Sequence, residues 1–281
     1  MKNKDDFIQR AEMLLDRLEG LFTPPRAEPD WTHIAFRWRG SKGLQGVKNP
    51  HKVRLDDLLC MERQKQEITR NTRQFVQGRS ANNVLLWGSR GTGKSSLIKA
   101  VLSEFANQGL RLIEVEKHDL VDLPDIVEHF ADRPERFILF SDDLSFEADD
   151  ASYKSLKAVL DGSIAAPPEN VLIYATSNRR HLLPETMREN REARVVDGEL
   201  HHGEAIEEKI SLSERFGLWL SFYPFNQEQY LEIVEHWLGE MGRHTIADEA
   251  TRAEALRWAQ LRGSRSGRVA YQFALDWSGR E

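Results

Sequence analysis

Cysteine is nearly absent from this chain: Cys60 is the only one in 281 residues. No intrachain disulfide and no cysteine-rich metal site can therefore form, and such sparing use fits a reducing compartment. Long apolar runs are missing too. Nothing approaches the roughly 18 residues that span a bilayer, and the opening Met1-Lys2-Asn3-Lys4-Asp5-Asp6 leads into no signal-peptide core. The expectation is a cytoplasmic protein with no membrane partner. Nor is there an excess of positive charge. With 39 Lys and Arg against 45 Asp and Glu the net charge is −6, which argues against a whole-surface binder of nucleic acid or membrane. No H-E-x-x-H zinc pattern and no Ser/His/Asp hydrolase arrangement occurs. The adjacent pairs His201-His202 and Asp149-Asp150 point their side chains apart on helix or strand, so they read as solvated loops.

What is present divides the chain into four stretches. Residues 1–30 hold an amphipathic helix (Phe7, Ala11, Leu14, Leu18 and Leu21 at steps of three and four) and a linker marked by Pro24, Pro25 and Pro29. Residues 31–54 are a basic, aromatic arm carrying Arg37, Arg39, Lys42, Lys48, Lys52 and Arg54 with no acid. Two readings fit it: Trp31, Phe36 and Trp38 interleaved with cations resemble a nucleic-acid patch, or the aromatics dock the arm on the acidic core. Docking or partner contact is preferred. Residues 55–224 open with a helical pattern reaching Gly78. Strand-like runs at 84–87, 110–115, 137–140, 171–175 and 218–222 then alternate with helix-like segments, the pattern of a parallel sheet covered on both faces. Residues 225–281 are purely helical, with Asn226 and Gln229 forming a capping box, and read as a three-helix lid.

The strongest motif is Gly88-Ser89-Arg90-Gly91-Thr92-Gly93-Lys94-Ser95, a complete G-x-x-x-x-G-K-[ST] placed between an apolar strand and a helix. Its glycines let consecutive N–H groups converge on phosphate oxygens, and the helix adds its positive end. Lys94 is suited to the β- and γ-phosphates and Ser95 to Mg²⁺, with Ser96 completing the phosphate-binding set. The carboxylates needed beside such a loop follow Phe137-Ile138-Leu139-Phe140-Ser141: Asp142 is assigned to the metal shell and Asp143 to orienting the attacking water.

These residues resemble the AAA+ ATPase superfamily over roughly residues 52–278. The match is closer to a bacterial AAA+ family, domain of unknown function 815, carried by Phe36-Arg37-Trp38, Leu55-Asp56-Asp57-Leu58, Asn83 to Gly88, Phe140 to Phe146 and Ser213 to Leu218. The resemblance implies an α/β P-loop NTPase core with a five-stranded parallel sheet ordered 5-1-4-3-2 and a C-terminal helical lid. It implies ATP and Mg²⁺ as ligands, Asn178 as the polar sensor ending the fourth core strand, and Arg215 as an arginine finger. Because such a finger serves a neighbour's ATP, it also implies a homo-oligomer. Arg268, ahead of Arg265, is implied as the lid arginine that closes over the nucleotide. Two positions depart from the pattern. Asp143 stands where a glutamate is usual, which implies slow or partner-dependent hydrolysis, with Glu147 a weaker substitute. Cys60 stands where related segments often have glycine beside the adenine.

The function expected is ATP hydrolysis that remodels a macromolecular partner, a protein in preference to nucleic acid. The alternatives are a nucleic-acid-associated ATPase using residues 31–54 and, third, a small-molecule kinase.

Overall fold

A computed structural model describes residues 28–130, 132–146, 150–161, 168–180, 182, 194–196, 199–201, 212–242 and 249–280. The helix expected over 4–20, Glu147 and most of the charged segment 179–214 lie outside the described residues.

The elements in chain order are β1 (Ala35–Trp38), β2 (Leu44–Gly46), α1 (Glu62–Val76), β3 (Val84–Gly88), α2 (Lys94–Phe105), β4 (Leu110–Glu114), α3 (Leu123–Glu128), β5 (Arg136–Ser141), α4 (Ala151–Asp161), β6 (Val171–Ser177), β7 (Arg194–Val196), β8 (Glu199–His201), β9 (Leu218–Phe222), α5 (Gln227–Glu240), α6 (Glu249–Leu261) and α7 (Gly267–Ser278). Strands β7 and β8 form a separate antiparallel pair. The main sheet has seven strands in the order β2-β1-β4-β5-β6-β3-β9. The five consecutive strands β4-β5-β6-β3-β9 reproduce the expected order. The expectation of five strands is corrected by β1 and β2, which come from the basic arm.

The arm joins the sheet because its side chains alternate. Strand β1 pairs parallel to β4 and antiparallel to β2. Phe36 and Trp38 turn inward and are buried, and the Trp38 indole N–H donates to Asp122 at 3.1 Å. Trp31 packs against Phe36, Phe130 and Phe137, with the Arg133 guanidinium 3.9 Å from its ring. Between them Arg37 and Arg39 face outward and pair with Glu114 (2.6 Å) and Glu116 (2.8 Å). The aromatics thus serve the core, and of the six cations Arg37, Arg39 and Arg54 already have acidic partners.

The central strands β5 and β6 are long apolar runs because both their faces are covered. Period-two alternation divides them. Ile138, Phe140, Leu172 and Tyr174 face α1, α2 and the lid, whereas Phe137, Leu139, Val171 and Ile173 face α3 and α4. Tyr174 is wholly buried, which pushes its phenol up to about 12, and its hydroxyl meets Asn71 (3.0 Å) and Thr72 (2.9 Å) of α1. In α2, Leu97, Ile98, Val101, Leu102 and Phe105 recur at helical spacing and are buried. The lid begins at the expected box: the Gln229 N–H donates to Asn226 Oδ1 at 2.9 Å, and the Asn226 N–H donates to Gln229 Oε1 at 3.0 Å. Ser266 caps α7. Among the described residues no helix is long and apolar enough to cross a membrane.

The helical pattern from residue 55 to Gly78 is shorter in the structure. Leu55–Asp57 is a single 3-10 turn and the α-helix starts only at Glu62. Between them the chain changes direction at Cys60, whose φ of 60° no α-helix accommodates.

Candidate functional site

Strands β3, β5 and β6 all end at one edge of the sheet, and the polar side chains they release gather in a cavity of about 810 Å³. The loop after β3 forms its floor. Gly88 has φ 130°, and a Cβ there would run into the Phe222 carbonyl oxygen of β9, so only glycine lets the chain leave the sheet at this point. Residues 90–96, together with Asp142, Asp143, Asn178 and Arg268, line the cavity, which brings most of the sequence-expected set into one place.

Lys94 opens α2 and is buried. Its ammonium donates to the Gly88 and Ser89 carbonyls, each at 2.8 Å, and to Asn178 Oδ1 at 3.2 Å. Burial holds its pKa below the ordinary ammonium value, opposed by the negative charges of Asp143 and Asp142. Ser95 Oγ donates to Asp142 Oδ1 at 2.7 Å, joining the first turn of α2 to the residue just past β5. The Asn178 amide donates to Asp143 Oδ1, and Arg90 approaches the other oxygen at 3.7 Å.

Asp143 has a φ of 53°. Asp and Asn enter this left-handed region several-fold more readily than longer side chains, so the aspartate is compatible with its backbone. A hydroxyl and a carboxylate already at hydrogen-bond distance are hard oxygen donors that fit Mg²⁺. Among the described residues no group of three or more His, Cys, Asp or Glu could hold a metal alone.

The apolar end of the cavity is built by residues 53–61 and the lid, with Val53, Leu58, Leu59, Met61, Ile233 and Trp237 in its wall. A ladder of polar contacts fixes that wall. Cys60 Sγ lies 3.4 Å from Glu232, Asp57 lies 3.4 Å from His236, and Arg54 lies 3.7 Å from Glu240. The three lid residues are four apart and form one stripe of α5, so residues 54–60 run along that helix. Burial, then Glu232, pushes the Cys60 thiol up to about 12. Cys60 is therefore expected to react with iodoacetamide at pH 8 at least roughly a hundredfold slower than an open thiol, because only the thiolate attacks. Mass spectrometry before and after denaturation measures the ratio.

The lid touches the phosphate-type loop directly. The Arg268 backbone N–H donates to the Gly91 carbonyl at 3.3 Å, and a Cβ on Gly91 (φ 75°) would press on Ser266. Both lid arginines are exposed, but Arg268 lines the cavity and Arg265 does not. Arg215 also lies outside this cavity. It sits in the turn before β9 and pairs with Asp161 at the end of α4. One residue in the cavity escaped sequence reading altogether. Thr176 of β6 is buried, donates to Asp142 Oδ1 at 2.5 Å and accepts from the Asp143 N–H at 2.9 Å. A threonine in a strand is an ordinary β-former and signals nothing further.

Residues 31–281 match the family described as "Protein of unknown function (DUF815)". No curated protein sequence matches the chain. Among solved structures, the replication initiator DnaA bound to AMPPCP and single-stranded DNA is similar at 16% identity and a TM-score of 0.53, covering 83% of this chain and 66% of that one. The Thermotoga maritima RuvB Holliday junction branch migration motor is similar at 16% identity and a TM-score of 0.46, covering 81% and 71%. At that identity the DnaA likeness speaks for the fold alone, an AAA+ type P-loop core with a helical lid. The chain belongs to the DUF815 family.

Proposed function

We propose that this protein binds ATP with Mg²⁺ and hydrolyses it to drive a conformational change in a macromolecular partner. The observation that carries the proposal is the convergence of Lys94, Ser95, Asp142, Asp143 and Asn178, from two strand ends and one helix start, on a single cavity that also has an apolar end.

In this reading the amides of residues 89–95 and the Lys94 ammonium hold the triphosphate. Ser95 and Asp142 would hold Mg²⁺, which when bound neutralises phosphate charge. Asp143 and Asn178, already hydrogen-bonded to each other, orient the attacking water. Arg268, carried on α7, reaches the phosphates from the lid side. The backbone bond from Arg268 to Gly91 makes the lid sensitive to what the loop holds. Arg215 would act on the ATP of an adjacent copy, which makes the working form a homo-oligomer. Turnover then moves lid and loop against each other and reaches the partner through subunit rotation.

The decisive experiment is calorimetry of ADP and ATP with Mg²⁺, followed by steady-state phosphate release. Saturable binding with measurable release supports the reading, and absence of nucleotide affinity overturns it. Release is expected to be slow without a partner, because the short Asp143 side chain is held by Asn178 and Arg90; turnover in the isolated protein equal to that of glutamate-bearing relatives would contradict this. ADP formed only with a small acceptor present would instead favour a kinase.

A second reading, ATP-driven action on nucleic acid, takes support from the cations of the arm. The inward aromatics and the pairing of Arg37 and Arg39 leave residues 31–54 without a stacking platform. Salt-dependent DNA binding lost on neutralising Arg37, Arg39 and Lys42 would nevertheless favour that reading over a protein partner.

A further inference from the structure

The hydroxyl of Thr176 ties both acidic residues of the cavity to the sheet. It is carried at the end of β6, a strand whose preceding residues, Val171-Leu172-Ile173-Tyr174-Ala175, are all apolar and buried. Thr176 itself is 1% exposed, so its hydroxyl must find partners within the protein. The direction of its bonds is unambiguous. The Asp143 group is a backbone N–H and can only donate, so the hydroxyl accepts there at 2.9 Å and sends its single proton to Asp142 Oδ1 at 2.5 Å. Asp142 Oδ1 also accepts from Ser95 Oγ at 2.7 Å. Two hydroxyls, one from β6 and one from α2, thus converge on the same carboxylate oxygen and set the rotation of that side chain. On the other side, the bond to the Asp143 N–H fastens the residue whose φ is 53°. A left-handed aspartate next to a strand end persists only when its surroundings hold it, and the carboxylate so aimed is the one that Asn178 and Arg90 meet.

We infer that Thr176 is a positioning residue for the acidic pair, setting the metal-facing orientation of Asp142 and the backbone turn that aims Asp143. This rests on the ATPase reading above and deepens it. A group one bond removed from a metal-holding carboxylate typically changes metal affinity or activity by about 10- to 100-fold when lost.

The test compares Thr176→Val, which keeps the shape and removes the hydroxyl, with Thr176→Ser, which keeps the hydroxyl. ADP affinity is measured by calorimetry in EDTA and in Mg²⁺, alongside steady-state phosphate release. The expected result is that Thr176→Val binds ADP in EDTA like the wild type but loses about tenfold or more of the gain that Mg²⁺ confers, with a similar fall in release. Thr176→Ser recovers both to within about twofold. A double-mutant cycle adds a readout that a merely structural role would not move. In an Asp142→Asn background, Thr176→Val is expected to change the Mg²⁺ gain little further, because the two groups act as one unit. Thr176→Val with the wild-type Mg²⁺ gain and release overturns the inference and leaves the ATPase reading standing. So does equal loss in Thr176→Ser, or full additivity with Asp142→Asn. If Thr176→Val does not fold, Thr176→Ser and Thr176→Ala decide by the same comparison. No nucleotide affinity in the wild type would instead strike the ATPase reading itself.

Discussion

Replacing Lys94 with alanine is expected to remove measurable ATP turnover and to weaken ATP affinity by more than about a hundredfold, since one ammonium faces the whole charge of the triphosphate tail. The fold is expected to survive. Among the described residues the side chain hydrogen-bonds to the Gly88 and Ser89 carbonyls and to Asn178, all beside the cavity and none in the core. Melting temperature and calorimetry of the variant separate the two effects. The same residue predicts a pH dependence with a definite sign. Burial keeps the Lys94 pKa below 10.5, so without nucleotide the ammonium loses its proton earlier than an exposed lysine would. A bound polyphosphate favours the charged form and pulls the pKa back up. Affinity is therefore full at pH values below the lowered pKa and falls as pH rises through it, before 10.5 is reached. In that window binding takes up a proton. Titrations in two buffers of different ionisation enthalpy measure the uptake, and Lys94→Met is expected to abolish it. An alkaline profile unchanged by Lys94→Met would assign the effect elsewhere.

Arg215→Ala is expected to lower turnover by about a thousandfold or more while leaving ADP affinity within a fewfold of wild type. The structure pairs Arg215 with Asp161 in its own chain, which supplies a control. Asp161→Asn breaks the charge pairing and keeps the guanidinium. If Arg215 acts on a neighbour's phosphates, Asp161→Asn retains most of the activity. Mixing Arg215→Ala with Lys94→Ala protein then restores part of the rate, because some mixed interfaces join an intact loop to an intact arginine. If Arg215 only braces the turn before β9 against α4, Asp161→Asn matches Arg215→Ala and mixing restores nothing. Light scattering with and without an ATP analogue reports whether copies assemble at all; a monomer under every condition would sink the intersubunit role.

Much of this architecture was readable without coordinates because its signals are local. Strands β3, β5 and β6 each hold an apolar run of at least four residues, and the lid helices begin at Asn226 and Ser266, whose side chains meet the backbone three residues on. The basic arm was less legible. A four-residue strand, Ala35–Trp38, is too short for its alternation to stand out, and Arg37 within it and Arg39 just after it resemble a polyanion site until Glu114 and Glu116, far off in sequence, come alongside. The aspartate at position 143 was visible in the sequence, but its left-handed dihedral angle was not. At Cys60 the usual glycine and the left-handed backbone agree, yet the residue there is cysteine.

The order of chemical groups along the chain determined which parts exist: a glycine-rich turn between strand and helix, two acids after an apolar run, a polar residue at the end of the next strand, and a capped helical lid. Such features depend on neighbours within a few residues, and the chain states them directly. Only the tertiary structure decided what those parts do to one another. It set Thr176 between Asp142 and Asp143, laid residues 54–60 along α5, sent Arg215 to Asp161, and turned the arm's aromatics inward. These are contacts between residues tens to nearly two hundred positions apart. They follow from sheet order and burial, which no local pattern encodes.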